Sequence, residues 1–246
     1  MMFFVKRMVD LLVALIGLAF LSPFLVFVGF LIFLQDFKSP FYIANRIGRQ
    51  SKPFKMVKFR SMVMDADKAG VDSTAQNDPR ITPIGRFVRK WKLDEFPQLW
   101  NVLMGDMSLV GPRPNVHRHG VELYTQEEMK LLNVRPGITD FSSIIFSDEA
   151  EILMGSEDAD LKYNRVIRPW KSRLGIFYVD HMGPILDLQI IFVTLMAILS
   201  KPRAIKFATA ILTQLEAHPT LIQVSMRQEP LAPFPPPGAQ EPVKFL

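Results

Sequence analysis

The run from Met8 to Leu34, MVDLLVALIGLAFLSPFLVFVGFLIFL, constrains the chain most, because Asp10 is its single charge. An apolar stretch of that length is the signature of a segment living in lipid. A secretory leader does not fit: its apolar core runs to about 7–15 residues and ends at a small-residue cleavage site. Ser22 and Pro23 fall mid-run, where proline removes a backbone donor and crowds the preceding turn, so a kink is expected. Basic residues flank both ends, Lys6 and Arg7 before it and Lys38, Arg46, Arg49 and Lys52 after it. The positive-inside bias then puts both flanks on the same side of a bilayer, which describes a re-entrant hairpin. A proline-containing bitopic helix fits the same composition.

A chain of 246 residues suits one domain with an appendage. It has no cysteine, which excludes disulfides, thiolate metal sites and thiol nucleophiles. Its net charge of +5 hides a division. Lys38 to Lys92 holds thirteen Lys and Arg against four Asp, whereas Leu93 to Arg165 holds six against thirteen acids. The basic block attracts anions such as nucleic acid, lipid headgroups or phosphorylated small molecules.

Phe41 to Met62 alternates apolar and polar residues and predicts two short strands around a turn at Gly48 to Pro53. Asp65 to Asp78 reads as a loop or short helix. Helices are expected over Thr82 to Lys92, Glu95 to Met104 and Gln126 to Val134. Leu186 to Leu199 is apolar but short for a bilayer, so it is core or membrane-surface helix. The segment after Lys201-Pro202-Arg203 is weakly amphipathic and suits an interface. Six of the last nineteen residues are proline, which predicts a disordered tail from Gln228.

The chemistry centres on LDEFPQLWNVLMGDMSLVGPRP, Leu93 to Pro114. Adjacent helical residues point about 100° apart, so Asp94 and Glu95 cannot both face a core. One reading makes Asp94 the cap of the following helix, with Glu95 favoured by the helix dipole. The other has both carboxylates holding Mg²⁺ against phosphate, or an aspartate acting as nucleophile on phosphorus. Cations for a phosphate site are Lys58, Arg60, Arg89, Arg113 and Arg135, each of which also reads as a solvated surface charge. Pro112 and Pro114 stiffen the backbone around Arg113, and rigid presentation suits a guanidinium that grips phosphate. Asp65-Ala66-Asp67 and His117-Arg118-His119 resemble metal motifs but lack the further ligands such sites need. No glycine-rich phosphate loop is present.

Together these pieces resemble the bacterial sugar transferases, the monotopic polyprenyl-phosphate phosphoglycosyl transferases. The resemblance runs from Lys6-Arg7 to about Leu199. It rests on Ser22-Pro23, on FKMVKFRSM (Phe54 to Met62) and on the long run from Asp78 to Pro114. RPGIT (Arg135 to Thr139) and the Asp187-Leu188 segment add to it.

The resemblance implies that Ser22-Pro23 turns the membrane helix back within one leaflet. It implies that Asp94 is the nucleophile on the β-phosphate of a UDP-sugar, expelling UMP, and that Glu95 is its partner, associated with Mg²⁺. Polyprenyl phosphate then takes the phosphosugar. Lys58, Arg60, Arg89, Arg113 and Arg135 fall in motifs that line the family's anionic substrate site. Many members continue Arg-Pro-Gly as Thr-Gly-Trp-Ala-Gln-Val; Asp140 stands here in place of a glycine, which is expected to change the nucleotide or sugar pocket. Lys90, Trp91 and Lys92 replace the small polar residues common before the dyad.

The expected fold is α+β and mostly helical: a re-entrant membrane hairpin (1–37), a catalytic domain with a short β-hairpin and interfacial helices (38–200), an amphipathic segment (201–227) and the tail (228–246). The chain resembles the minimal catalytic form, placed on the cytoplasmic face of a bacterial inner membrane. Its expected partners are a UDP-sugar, polyprenyl phosphate and the bilayer, with no nucleic acid and with self-association open. Two other classes compete. A membrane-tethered anion-binding module would be indifferent to Asp94, and an aspartyl-intermediate phosphohydrolase would pass the phosphosugar to water.

Overall fold

The computed structural model describes residues 2–66, 73–75, 77–117 and 121–245. Its first element is α1 (Met2–Leu34), helical from end to end with Pro23 inside it. Pro23 cannot donate to the Ala19 carbonyl four residues back. The Ser22 hydroxyl donates to that carbonyl instead, at 2.9 Å, so the polar group orphaned by the proline is satisfied. Such rescue matters most where no water is available.

Both ends of α1 are fastened to the same domain. Near its start, Lys6 Nζ reaches Asp187 Oδ2 at 2.6 Å and the Val110 carbonyl at 2.9 Å. Asp10 accepts from Ser108 Oγ at 2.7 Å and from the Leu109 amide at 3.0 Å. Near its end, Val28 and Ile32 pack with Phe59, Val88 and Leu93. Just beyond it, Asp36 receives both terminal nitrogens of Arg60 at 2.5 and 2.6 Å. The outward face stays apolar and exposed, with Phe4, Leu12, Phe20, Val26, Phe27 and Phe30.

The expected hairpin is present as β1 (Phe41–Ile47) and β2 (Pro53–Phe59), paired antiparallel from Phe41↔Phe59 to Ile47↔Pro53. α2 (Pro83–Lys90) starts where Thr82 Oγ1 accepts from the Gly85 amide at 2.9 Å. α3 (Gln98–Met104) follows, then β3 (Ser108–Val110), which pairs in parallel with β4 (Gly137–Thr139). Gln126 to Val134, expected as a helix, contributes a 3-10 turn over Glu128–Asn133.

The remaining helices are α4 (Phe141–Ile145), α5 (Glu149–Ile152), α6 (Ala159–Lys162), α7 (Arg168–His181), α8 (Pro184–Leu199), α9 (Lys201–Gln214) and α10 (Pro219–Ser225). The main core joins Phe141, Ile144, Trp170, Leu174, Tyr178, Ile190 and Leu212. α8 presents two faces: Leu186, Ile190 and Val193 are buried in the core, while Ile185, Leu188, Phe192 and Leu199 are exposed. α9 is more than an appended segment, because Ala204, Ala208 and Leu212 belong to that core.

The tail differs from the disorder that its proline content predicts. Phe234 stacks on Trp170 with ring centroids 4.3 Å apart, and its amide donates to the Arg165 carbonyl at 2.9 Å. Arg173 Nη1 donates to the Pro235 carbonyl at 2.8 Å, and Thr125 Oγ1 to that of Pro237 at 2.6 Å. One aromatic slot and carbonyls left free by an extended proline run give this segment partners that composition alone does not register.

Candidate active site

The dyad sits on a tight turn between α2 and α3. Lys92 adopts a left-handed φ of 57°, which swings the chain into a single 3-10 turn, Leu93–Glu95. Leu93 anchors that turn in the small core under α1. The capping role considered for Asp94 does not hold: the cap position of α3 is Pro97, and no side chain caps it. Asn101, one turn into α3, accepts from the Val57 amide at 2.9 Å and donates to the Lys55 carbonyl at 2.7 Å. Those bonds fix the strand bearing Lys58 against the helix that follows the dyad.

Arg113 arrives from the opposite side. Gly111 and Gly137 cross so closely that a Cβ on Gly137 would lie 2.1 Å from the Gly111 nitrogen. The Gly111 amide donates to the Thr139 carbonyl and the Gly137 amide to that of Pro112, both at 3.0 Å. The Gly-Pro-Arg-Pro and Arg-Pro-Gly motifs are therefore two halves of one crossing. From it, Arg113 grips both Glu95 carboxylate oxygens and donates to the Ile138 carbonyl at 3.3 Å.

The two carboxylates occupy different electrostatic states. Asp94 is buried and has no hydrogen-bond or ion-pair partner among the described residues. Burial raises its carboxyl above the ordinary aspartate range; Lys58 opposes this, the Glu95 charge adds to it, and Arg89 and Lys92 pull it back. Burial also pushes Glu95 up, but Arg113, Lys58 and Lys92 outweigh it and hold that carboxyl well below its usual range. Burial, and next the Arg113 charge, lower the Lys58 ammonium to about 8. A desolvated free carboxylate beside a permanently ionised one is the kind of divergence that assigns separate roles.

Lys58, Arg89, Arg113 and Lys92 thus bear electrostatically on the two carboxylates. The sequence reading missed Lys92, although it adjoins the motif. Two predicted cations lie elsewhere. Arg60 is buried in its bidentate pair with Asp36, which it holds at about 2. Arg135 donates to the Gly105 carbonyl at 2.8 Å, and its charged neighbours are Arg7, Arg49 and Asp10. Ser22 and Pro23 lie within α1. Of the metal decoys, Asp67, Arg118 and His119 lie outside the described residues, and His117 pairs with Glu122 at 2.8 Å.

Beside Arg113 opens a cavity of about 160 Å³, lined by Tyr124, Tyr163, Asn164 and Lys171 among others. Lys171 pairs with Glu149, which with Tyr163 raises its ammonium despite burial. These residues come from segments far apart in sequence, with no spacing pattern to reveal them. Asp140, the departure from the family pattern, lines the cavity and caps α4, accepting from the Ser143 amide at 2.7 Å.

Among the described residues no three acids or imidazoles gather into a group able to hold an ion, so the carboxylates that could contact one here are those of the pair. Asp94 is free to do so, whereas the Glu95 oxygens are engaged by Arg113.

The site is thus a buried, unpaired carboxylate among cations, on a domain strapped to an apolar helix. The chain belongs to the bacterial sugar transferase family, whose model matches residues 1–201. It is 37% identical over 206 residues to exopolysaccharide production protein PSS of Rhizobium leguminosarum bv. phaseoli, covering 80% of this chain and 96% of that one. It is 32% identical over 200 residues to a UDP-N-acetylgalactosamine-undecaprenyl-phosphate N-acetylgalactosaminephosphotransferase of Aeromonas hydrophila, covering 80% and 44%. With the UDP-glucose:undecaprenyl-phosphate glucose-1-phosphate transferase of Escherichia coli (strain K12) it shares 38% over 172 residues, covering 67% and 36%. The chain spans about half the length of the first curated relatives it matches.

Proposed function

We propose that this chain transfers a sugar 1-phosphate from a UDP-sugar to polyprenyl phosphate in a bacterial membrane, the first step in building a surface glycan. The observation that carries the reading is Asp94, a buried carboxylate left without a partner while Lys58, Arg89 and Lys92 surround it. An Asp94 oxygen attacks the β-phosphorus, the bond from that phosphorus to the bridging oxygen breaks, and UMP leaves with the electron pair. An oxygen of polyprenyl phosphate then attacks the same phosphorus and Asp94 departs, giving polyprenyl diphosphate sugar. Two displacements at one site let a soluble donor and a lipid acceptor take turns.

Attack of one anion on another requires charge compensation. Lys58 and Arg113 supply fixed positive charge of the kind that stabilises charge developing on phosphate. Mg²⁺, when held by the diphosphate with Asp94, would add Lewis-acid polarisation of the phosphoryl oxygens, with Glu95 left to Arg113. Glu95, locked by Arg113, keeps Arg113 aimed at the site. The apolar face of α1 and the exposed row on α8 support seating of the domain at headgroup level, with α1 dipping into the cytoplasmic leaflet of the inner membrane and returning.

The test is Asp94→Asn. With purified protein, Mg²⁺, a panel of UDP-sugars and polyprenyl phosphate, the folded variant is expected to lose UMP release, lipid product and the phosphosugar-enzyme adduct seen by intact-protein mass spectrometry. Product formation at the wild-type rate would refute the nucleophile.

A further inference from the structure

Arg135 is the cation that the dyad does not use, and its surroundings assign it another task. A notch of about 20 Å³ is lined by Arg7, Arg49 and Arg135, with Asp10, Phe3 and Met182. Arg7 donates to the carbonyls of Val102 at 2.6 Å and Leu103 at 3.1 Å, and Arg135 to that of Gly105. These bonds satisfy the last carbonyls of α3, a favourable place for cations. They supply no negative charge. Arg49 makes no side-chain bond at all among the described residues. The one carboxylate in the notch, Asp10, already accepts from Ser108 and the Leu109 amide. Burial, then the nearby charges of Arg7 and Arg49, lowers the Arg135 pKa while Asp10 raises it, so three guanidinium groups share one carboxylate and the notch keeps an excess of positive charge.

Position identifies the missing anion. The notch opens where α1 begins, and Phe3 and Phe4 on that turn are both more than half exposed. Ile185 and Leu188, which follow Met182, are exposed on the same apolar α8 row. Aromatic and aliphatic side chains beside guanidinium groups match the boundary between acyl chains and headgroups. A notch this small admits the oxygens of one phosphate and leaves its substituents outside.

We propose that Arg7, Arg49 and Arg135 form a binding site for the phosphate of an anionic bilayer phospholipid, separate from the catalytic dyad. Such a lipid neutralises the notch and holds the start of α1, hence the domain above it, at a fixed depth. The site rests on the membrane seating proposed above. Its ligand is a resident of the bilayer, neither the donor nor the acceptor.

Full-length protein in mild detergent, titrated with phosphatidylglycerol or phosphatidylcholine and followed by native mass spectrometry, tests this. Wild type is expected to retain one phosphatidylglycerol with about tenfold preference over phosphatidylcholine. A basic residue near an anionic surface is worth about 1 kcal/mol, so Arg49→Gln should weaken that binding about fivefold and Arg49→Gln with Arg135→Gln about thirtyfold. Phosphatidylcholine binding should not change. Arg49→Lys should keep most of the preference, and Lys130→Gln, an exposed control, all of it. Because Arg49 is exposed and unbonded, its variant tests the site even where the double variant does not fold. Undiminished phosphatidylglycerol binding in Arg49→Gln, or equal displacement by the same concentration of inorganic phosphate, would overturn the site. Adduct formation from a UDP-sugar, scored on the same wild-type preparation, separates failure of this site from failure of the transferase reading.

Discussion

Lys58 shows how one residue links the site to pH. Its ammonium, lowered to about 8, loses its proton in the folded protein well before it would in the unfolded chain, near 10.4. Between those values the unfolded state binds more protons, so this group makes folding more favourable as pH rises through the window. Function runs the other way, because the same deprotonation removes a positive charge facing the donor. The KM for the UDP-sugar is therefore expected to rise about tenfold between pH 7 and 9.5 in wild type. It should stay nearly flat in Lys58→Arg, as steady-state rates across that range would reveal. A wild-type KM that is also flat would remove Lys58 from donor binding. The dyad and Arg113 were legible in the sequence because they lie within twenty residues of one another in a proline-stiffened motif. Arg60 and Arg135 bond instead to Asp36 and the Gly105 carbonyl, because sequence reports that a cation exists and not where it points.

Among the elements, the tail matters beyond its own packing. It touches Trp170 and Arg173 on α7, the helix that also carries Arg168, Lys171 and Ser172 into the cavity wall. Thr125, which holds Pro237, adjoins the cavity residue Tyr124. Arg227 and Lys201 meet on Asp148, next to the Glu149 that holds Lys171. The segment beyond the family-matched residues thus packs behind the cavity lining, through Phe234, Pro235, Pro237 and Arg227. Phe234→Ala, which loses an aromatic pair and part of its apolar contact, should lower stability by about 1–2 kcal/mol in urea titration. It should also raise the KM for the donor severalfold with little change in kcat, while Phe234→Tyr restores both. A kcat loss without a KM change would argue against this buttressing role. The β-hairpin was readable from alternation, and α2 as a cationic helical stretch. The β3–β4 crossing was not, because parallel pairing of two three-residue strands leaves no local pattern and depends on two glycines meeting.

For the whole molecule, the central fact is that one domain grips α1 at both ends, through Lys6 and Asp10 at one and Val28, Ile32 and Asp36 at the other. A helix that crossed the bilayer would carry one of those ends away from its partners. Cysteines introduced singly at Phe4 and Lys38, in a chain with no native cysteine, should both be labelled from the cytoplasmic side. Labelling from opposite sides would exclude the dip and return.

The ion pair between Lys6 and Asp187 also sets an order of events at the ribosome. The two residues are separated by 181 positions, so at about 5–20 residues per second Lys6 emerges roughly ten to forty seconds before its partner. During that interval the apolar helix exists while its polar anchors, Lys6 and Asp10, still lack Asp187 and Ser108. A charged side chain costs about 2.5–3.5 kcal/mol at the centre of a bilayer, so the unpaired Lys6 and Asp10 are expected to hold the start of α1 near the surface until the rest is made.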